Sequence, residues 1–362
     1  MPLPGSFPAF GGEGLQAAAD SEGGTVVFSR LAGGILDILR SFRGEYLSGE
    51  EIARQMSVSR TAIWKHVREL RELGYGVSAG GKLGYRLDSI PDRLYPAEVR
   101  AGLGTQFIGR ADIHYYREVT STNEVARDLG EQGAPAGTVV VAEAQVQGRG
   151  RLRRSWWSPP EKGVWMSVLL RPELLPGEVF LLSFATAVAV ARAIGRLLPL
   201  EAHIKWPNDI LVGGKKVAGI LLEVKAELDQ VHYVVVGMGL NVNQEEADFP
   251  PELRSRATSL RQAAGQPVAR VPLVREILAG LEDEYFGLAR GEGERLWQEW
   301  RNLDITVGRP VEVVTSAGSC SGLAAGVTRE GRLVLRLPGG EIQEFAAGDV
   351  TLAGSRWNPD IP

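Results

Sequence analysis

Gly148 to Arg154 reads GRGRLRR, and Ser155-Trp156-Trp157 follows at once. Four arginines in seven residues stand out in a chain whose formal net charge is −4. A guanidinium keeps its proton in a protein, and its planar fork matches phosphate and carboxylate oxygens. Gly148 and Gly150 let the backbone turn sharply and come close to a ligand. Thr138 to Ala142 (TVVVA) precedes the loop, which is expected to hang from a packed strand. A solvated basic loop or a nucleic-acid patch would look the same, so the loop gains weight only from other anion-handling residues. Lys205 to Glu223 (KWPNDILVGGKKVAGILLE) offers them. It reads as two strands joined by a Gly213-Gly214 turn, which sets Lys215 across from Val212 and Lys216 across from Leu211. Lys216 would then stand near Val217, Ala218 and Ile220, where a charge wants an anionic partner. An exposed edge lysine is the plain alternative.

Two further stretches invite a polar ligand. Thr120-Ser121-Thr122-Asn123 opens an amphipathic helix carrying Val125 and Leu129. Its short polar side chains either cap that helix or, with the free N–H groups, receive a ligand. Val231 to Val236 runs into Gly237-Met238-Gly239-Leu240-Asn241, which reads as a glycine turn open to a nucleotide.

These residues must be held by something, and the order of the chain suggests what. Residues 1–28 are small, turn-forming and without periodicity, a flexible tail that lacks the basic start and apolar block of a signal peptide. From Arg30 a helical stripe runs through Leu31, Ile35, Ile38 and Leu39. Ser48 to Glu51 has the form of a capping box, opening a short helix with Ile52 and Met56 inward. After the Ser57-Val58-Ser59 turn comes a helix from Arg60 to Leu73, buried along Ile63, Val67, Leu70 and Leu73. Its outer face carries Arg60, Thr61, Trp64, Lys65 and Arg68. Val77 to Leu87, punctuated by Gly80, Gly81 and Gly84, reads as a β-hairpin wing. From Ser59 to Arg86 six Lys/Arg stand against two acids, a basic footprint for DNA phosphates in an acidic chain. A helical hairpin with a solvated face, or a protein-binding winged helix, is the alternative.

Pro91 to Pro96 marks a linker, and a mixed α/β region follows to about Leu303. Val179 to Leu198 is apolar nearly all round, a central buried helix; its Arg192 and Arg196 leave no apolar run long enough for a bilayer. A long helical pattern runs from Leu273 to about Arg301, with Leu296, Trp297 and Trp300 to pack. Ile305 to Leu352 turns into short alternating strands, a small β-barrel. A length of 362 residues at 44% hydrophobic and 23% charged suits two or three globular domains. The single cysteine, Cys320, excludes an internal disulfide framework and fits a reducing cytoplasm. The four histidines show no metal-ligand spacing.

Taken together these marks resemble the bifunctional biotin–protein ligase and biotin operon repressor family, from about Arg30 to Leu352. The marks are TSTN at Thr120 to Asn123, GRGR at Gly148 to Arg151 with Trp156 beyond, and KWPND at Lys205 to Asp209. Lys216 with Ala218-Gly219-Ile220-Leu221, GMGLN at Gly237 to Asn241, and Gly348-Asp349-Val350 complete them. The resemblance implies an α+β multidomain chain. A winged helix over 29–90 leads into a class II synthetase-like ligase domain over 93–302, and an SH3-like barrel over 303–354 follows.

It also implies a two-step reaction. Biotin and ATP give biotinyl-5′-AMP and pyrophosphate, and a lysine of biotin carboxyl carrier protein then takes the biotinyl group. Fixed cations must offset the repulsion between a carboxylate and a polyanion. Arg149, Arg151 and Lys216 are the expected catalytic residues. Ser121, Thr122, Asn123, Gln145, Gly148, Gly150 and Gly219, with Arg149, Arg151 and Lys216, are expected around biotin. Arg154, Trp156, Lys205, Asn208, Asp209 and Asn241 are expected around the nucleotide, with Asp209 as the Mg²⁺ ligand. The expected partners are the carrier protein and operator DNA, the latter bound by a homodimer formed on biotinyl-AMP, with no membrane involved. A biotin sensor without turnover, or a ligase for a related acid such as lipoate, would share much of this pattern. The family reads GRGR-x-G-R, whereas Arg153 holds the sixth position here. A β-carbon there forbids glycine-only backbone shapes. Val146 and Gln147 replace a polar and then a small residue in the same loop.

Overall fold

The computed structural model describes residues 29–228, 230–315 and 318–352. The expected tail over 1–28 and the last two residues of the expected barrel lie outside the described residues. At the start of the described chain, Ser29 caps α1 (Arg30–Ser41), its hydroxyl accepting from Ala32 N at 3.1 Å. Ser48 caps α2 (Gly49–Met56) through Glu51 N in the same way. The returning half of the expected capping box is not made: the Glu51 carboxylate instead accepts from Arg54 and Gln55 on its own helix face. A charged guanidinium one turn on outcompetes a neutral backbone N–H. Ser57 turns the chain with φ of 56°, and Ser59 caps α3 (Arg60–Glu72). Ile63, Val67 and Leu70 are buried, while Arg60, Thr61, Trp64, Lys65 and Arg68 are all exposed. The wing is the antiparallel pair β1 (Gly76–Ala79) and β2 (Tyr85–Ser89).

The linker is packed rather than free. Leu94 and Tyr95 are buried, and α4 (Pro96–Arg100) follows directly. The central sheet is built from β3 (Ile113–Val119), β4 (Val139–Gln145), β5 (Gly163–Leu170), β6 (Ala202–Lys205), β7 (Asp209–Val212), β8 (Lys215–Glu227) and β9 (Gln230–Asn241). Their spatial order is β3-β4-β5-β9-β8-β7-β6. Only β3 and β4 run parallel, because α5 (Thr122–Glu131) carries the chain back between them. That helix covers one face, packing Ala126 with Val140, Leu169 and Val235 of the strands. The other face lies under α6 (Phe180–Leu197), which packs on α8 (Arg270–Ala289) and α9 (Gly293–Leu303) beyond the short α7 (Leu260–Ala264).

Three expectations change here. The helical stretch Pro176–Leu197 is long and apolar enough to cross a membrane by composition. Its surface is instead taken up by α8, α9 and the sheet, and Arg192 reaches Glu284 at 2.7 Å. The long helix after Leu273 is two helices, broken where Gly291 takes φ of 80°. Gly237 to Asn241 is no turn: it continues β9, paired with β5 on one side and β8 on the other. The β7–β8 hairpin keeps the expected register, Leu211 opposite Lys216 and Val212 opposite Lys215.

The last unit is an antiparallel five-stranded sheet of β10 (Pro310–Thr315), β11 (Gly318–Val327), β12 (Leu333–Arg336), β13 (Ile342–Phe345) and β14 (Asp349–Leu352). Trp206 fastens it to the central domain, donating from its backbone to Thr306 Oγ1 (2.8 Å) and from its indole to Gly331 O (2.9 Å).

Candidate ligand-binding site

A cavity of about 690 Å³ opens between the GRGR loop, the start of α5, the β7–β8 hairpin and the first residues of β14. Arg151 and Lys216, 65 positions apart in the chain, both line it, as do Arg149, Arg154, Lys205 and Trp156. The loop is closed on itself: Trp156 N donates to Gly148 O and Gly150 N to Arg154 O, both at 2.7 Å. Leu152, not Arg153, adopts the left-handed conformation there, with φ of 53°. The residue in the left-handed region is thus the one before the position where the GRGR-x-G-R pattern has glycine.

At the polar end, Thr122 N donates to Gln145 Oε1 (2.9 Å), and Gln145 Nε2 donates to Ser158 Oγ (2.9 Å). Ser167 Oγ donates to Asn123 Oδ1 (2.7 Å) and lies 2.8 Å from Thr122 Oγ1. The Ser121 side chain makes no capping bond. These side chains therefore serve each other and the cavity, and the simple capping role is not what they do. All of Ser121, Thr122 and Asn123 are nearly fully buried and line the cavity, so a polar ligand there would meet them away from bulk water.

The glycines of the neighbouring strands explain the close fit. A β-carbon on Gly237 would fall 2.0 Å from Asn123 Oδ1, and one on Gly239 2.5 Å from Trp156 Nε1. Gly219, the cross-strand partner of Gly239, would put one 3.0 Å from the same indole. The Trp156 ring thus lies on a floor of bare backbone, with Lys216 Nζ 5.0 Å from its centroid, inside cation–π range.

The cations differ in how they are held. Lys216 and Lys205 both pair with Asp209, at 2.5 and 3.1 Å on separate oxygens. Burial pushes the Asp209 carboxyl up, but the two ammoniums outweigh it and hold the group below the usual carboxylate range. Arg149 reaches Glu124 at 3.3 Å, and Arg154 pairs with Asp349. Among the described residues Arg151 meets only weak acceptors, Asn208 Oδ1 at 3.4 Å and Gly348 O at 3.5 Å. Burial pulls its guanidinium down from its ordinary value, with Asp349 and Asp209 opposing. A desolvated cation that forms no ion pair among the described residues is a strong attractor for an anion.

The structure departs from expectation at three sites. Asn241 is turned away from the cavity, its amide donating to Thr258 O and accepting from Gln244. Gly148 is not on the cavity wall either; its oxygen closes the loop. Both oxygens of Asp209 are taken by ammoniums, and among the described residues no three His, Cys, Asp or Glu side chains are grouped to hold a metal. The residues present do not fit a protein-held Mg²⁺. Conversely, Arg256 and the Asp349–Leu352 wall line the cavity without having been expected to. Arg256 is brought there by its backbone oxygen, which accepts from Lys216 N (2.9 Å). Nothing in the local pattern signals that contact.

A winged helix ahead of a mixed sheet with a cation-lined cavity, closed by a small β-domain, is the architecture of a ligase with a DNA-binding head. Three family models match in that order: an HTH domain over 34–86, the Biotin/lipoate A/B protein ligase family over 115–241, and the Biotin protein ligase C terminal domain over 306–352. The chain is 39% identical to the bifunctional ligase/repressor BirA of Bacillus subtilis, over 90% of this chain and 99% of that one. To the protein of the same name in Escherichia coli it is 30% identical, over 85% and 94%. The biotin protein ligase from Aquifex aeolicus, solved in complex with biotin and ATP, matches with a TM-score of 0.59 at 28% identity, covering 67% of this chain and 99% of that one. The chain belongs to the bifunctional ligase/repressor family of biotin protein ligases.

Proposed function

We propose that the chain is an ATP-dependent biotin–protein ligase that also represses transcription in response to biotin. In the first step a biotin carboxylate oxygen attacks the α-phosphorus of ATP. The bond to the bridging oxygen breaks and pyrophosphate leaves, giving biotinyl-5′-AMP. In the second, the ε-amine of an acceptor lysine attacks the acyl carbon, AMP departs with the former carboxylate oxygen, and the amide sheds a proton. The observation that carries this reading is the convergence of Arg151 and Lys216 on one cavity floored by Trp156.

In this reading Arg151 and Lys216 draw the two anions together and steady the charge on the transferring phosphoryl oxygens, with Arg149 beside them. Lys216 would leave Asp209 for substrate, while Lys205 remains to neutralise that carboxylate. Ser121, Thr122, Asn123 and Gln145 would meet the ureido ring, with Gly219 and Gly150 giving the ligand close access to backbone. Arg154, Trp156, Lys205 and Asn208 would take the nucleotide. Mg²⁺ enters as the counter-ion of the triphosphate, which carries it as substrate. The acceptor is biotin carboxyl carrier protein, and the work is done in the cytoplasm. We divide the chain accordingly into a head over 29–90, a ligase domain over 93–302 and a β-domain from 303. Arg60, Thr61, Trp64, Lys65 and Arg68 would face operator DNA, as a homodimer formed on biotinyl-AMP.

The test is incubation with biotin, ATP·Mg²⁺ and a carrier domain, reading pyrophosphate release and acceptor mass. Pyrophosphate without a mass increase would leave adenylation but remove transfer; neither signal would remove the enzyme. Lipoate offered in competition decides the acid.

A further inference from the structure

The head and the ligase domain meet across a buried carboxylate. Glu98, on α4 of the ligase side, is 3% exposed. Its Oε1 accepts from Tyr75 OH at 2.5 Å and pairs with Arg40, and both of those residues belong to the head. The main chain of the same turn is held from the other side: Arg275 of α8 donates to Glu98 O and, at 3.3 Å, to Val99 O. Around this point Tyr75 stacks on Tyr95 with centroids 6.2 Å apart, and Tyr95 packs on Tyr115 of the central sheet at 4.9 Å. Tyr95 OH also donates to Leu73 O, at the end of the DNA-facing helix. A second carboxylate fixes the linker itself: Glu143 Oε1 accepts from Leu94 N (3.0 Å), and its Oε2 pairs with fully buried Arg270, which also grips Asp92.

We propose that Glu98 is the pin that holds the DNA-binding head in one orientation on the ligase domain, and that DNA recognition, not ligation, depends on it. The physical reason is the asymmetry of buried charge. With Arg40 and Tyr75 in place Glu98 is satisfied; turn the head while the seam stays closed and a buried carboxylate loses its partners. An ordinary linker of Pro91 to Pro96 length would let two domains turn freely. Here the buried apolar side chains instead run as one cluster from Ala32 through Leu94 and Val99 into the central domain, so the pin acts on an interface that is already dry. A head with a fixed pose presents α3 at a set distance and angle, which matters when two copies must fit two half-sites at once. A head that keeps the competent pose about a tenth of the time loses about tenfold in affinity. Glu98 is therefore a positioning residue, with no contact to the cavity. The DNA half of this inference rests on the function proposed above.

The experiment uses the full chain in a Cys320→Ser background with spin labels at Glu50→Cys in the head and Glu131→Cys in the ligase domain, both exposed positions. Distance distributions are compared for the parent, Glu98→Ala and Tyr75→Phe. In parallel, biotinylation rates are measured, along with affinity for a duplex selected by the parent from a random pool with biotin and ATP present. We expect a single narrow distribution in the parent and broadening in both variants, more in Glu98→Ala. Duplex affinity should fall by about tenfold or more while kcat and KM for biotin stay within about twofold. Unchanged ligation also reports that the variants fold. A distribution that stays narrow in Glu98→Ala overturns the pin, and so does broadening with undiminished duplex affinity. If the parent selects no duplex at all, it is the repressor reading that falls, and the distance distributions still decide the pin.

Discussion

The contact between Gly237 and Asn123 gives the sharpest test of the site. In Gly237→Ala the new methyl would stand 2.0 Å from Asn123 Oδ1 and 2.7 Å from its Cγ. A carbon–oxygen contact relaxes only at roughly 3.3 Å, so something must move by more than about 1 Å. The strand cannot give, because Gly237 is paired with Ser167 of β5 on one side and Leu221 of β8 on the other. Asn123 has to rotate, and in doing so it loses the 2.7 Å bond from Ser167. That bond contributes about 1 kcal/mol and overpacking costs about 1–3 kcal/mol, so stability should fall by about 2–4 kcal/mol. If biotin needs Asn123 in its present pose, restoring it at about 2 kcal/mol would raise the biotin KM on the order of 30-fold. The assays are denaturant unfolding and biotin-dependent pyrophosphate release. Asn123→Ala added to Gly237→Ala removes the clash, so stability should recover while the biotin KM stays high. A Gly237→Ala protein as stable as the parent, with an unaltered biotin KM, would refute the reasoning.

Other substitutions test separate parts of the site and the head. Lys216→Met should lower the rate of pyrophosphate release by about 10²–10³, the usual loss for one preorganised charge, with unfolding little changed. Asp209→Asn should cost about 2 kcal/mol by urea titration, less than a fully buried pair because Lys216 is a third exposed, and it leaves two lysines facing each other. The Asp209 carboxyl lies lower in the folded than in the unfolded chain. Its stabilisation is therefore present above about pH 4 and lost as pH falls through the folded value, so Asp209→Asn should flatten that part of the acid-unfolding profile. Arg60→Ala and Lys65→Ala should each reduce the slope of log affinity for DNA against log salt by about 0.9 without touching ligation.

How much of this was legible in the chain depended on the range of the interaction. The serine caps at Ser48 and Ser59, the buried stripe of α3 and the register of the β7–β8 hairpin rest on neighbours within a turn or two, and they form as the residue pattern predicts. The cations of the loop and hairpin could be named because arginine runs and misplaced lysines are local signals. Their counter-ions could not. Asp349, 195 positions beyond Arg154, is an ordinary acid until the β-domain docks, and Arg256 reaches the cavity only through its backbone bond to Lys216.

The Gly237 to Asn241 stretch shows why glycine is the hardest residue to read. Glycine serves where the backbone must take positive φ, and equally where a neighbour needs the volume of a missing methyl. The first use marks a turn, and Gly291 is an example, breaking a helix that otherwise reads as continuous. The second marks a strand pressed against something large. The two are indistinguishable along the chain, because the cause of the second lies elsewhere: Asn123 and Trp156 come from 114 and 83 positions away. Yet both glycines sit in register with site residues, Gly237 under the amide and Gly239 under the indole, two residues apart and so on the same face of β9. Alternate glycines in an otherwise apolar strand therefore trace the footprint of two polar or aromatic side chains at the 3.3 Å-per-residue spacing of a strand, roughly 7 Å apart. That spacing separates the ureido-facing amide from the nucleotide-facing ring in the proposed reading. Widening either glycine should impair one substrate at a time: Gly237→Ala biotin, and Gly239→Ala, through Trp156, the nucleotide. Equal loss on both substrates in either variant would mean the strand sets overall fold rather than two distinct subsites.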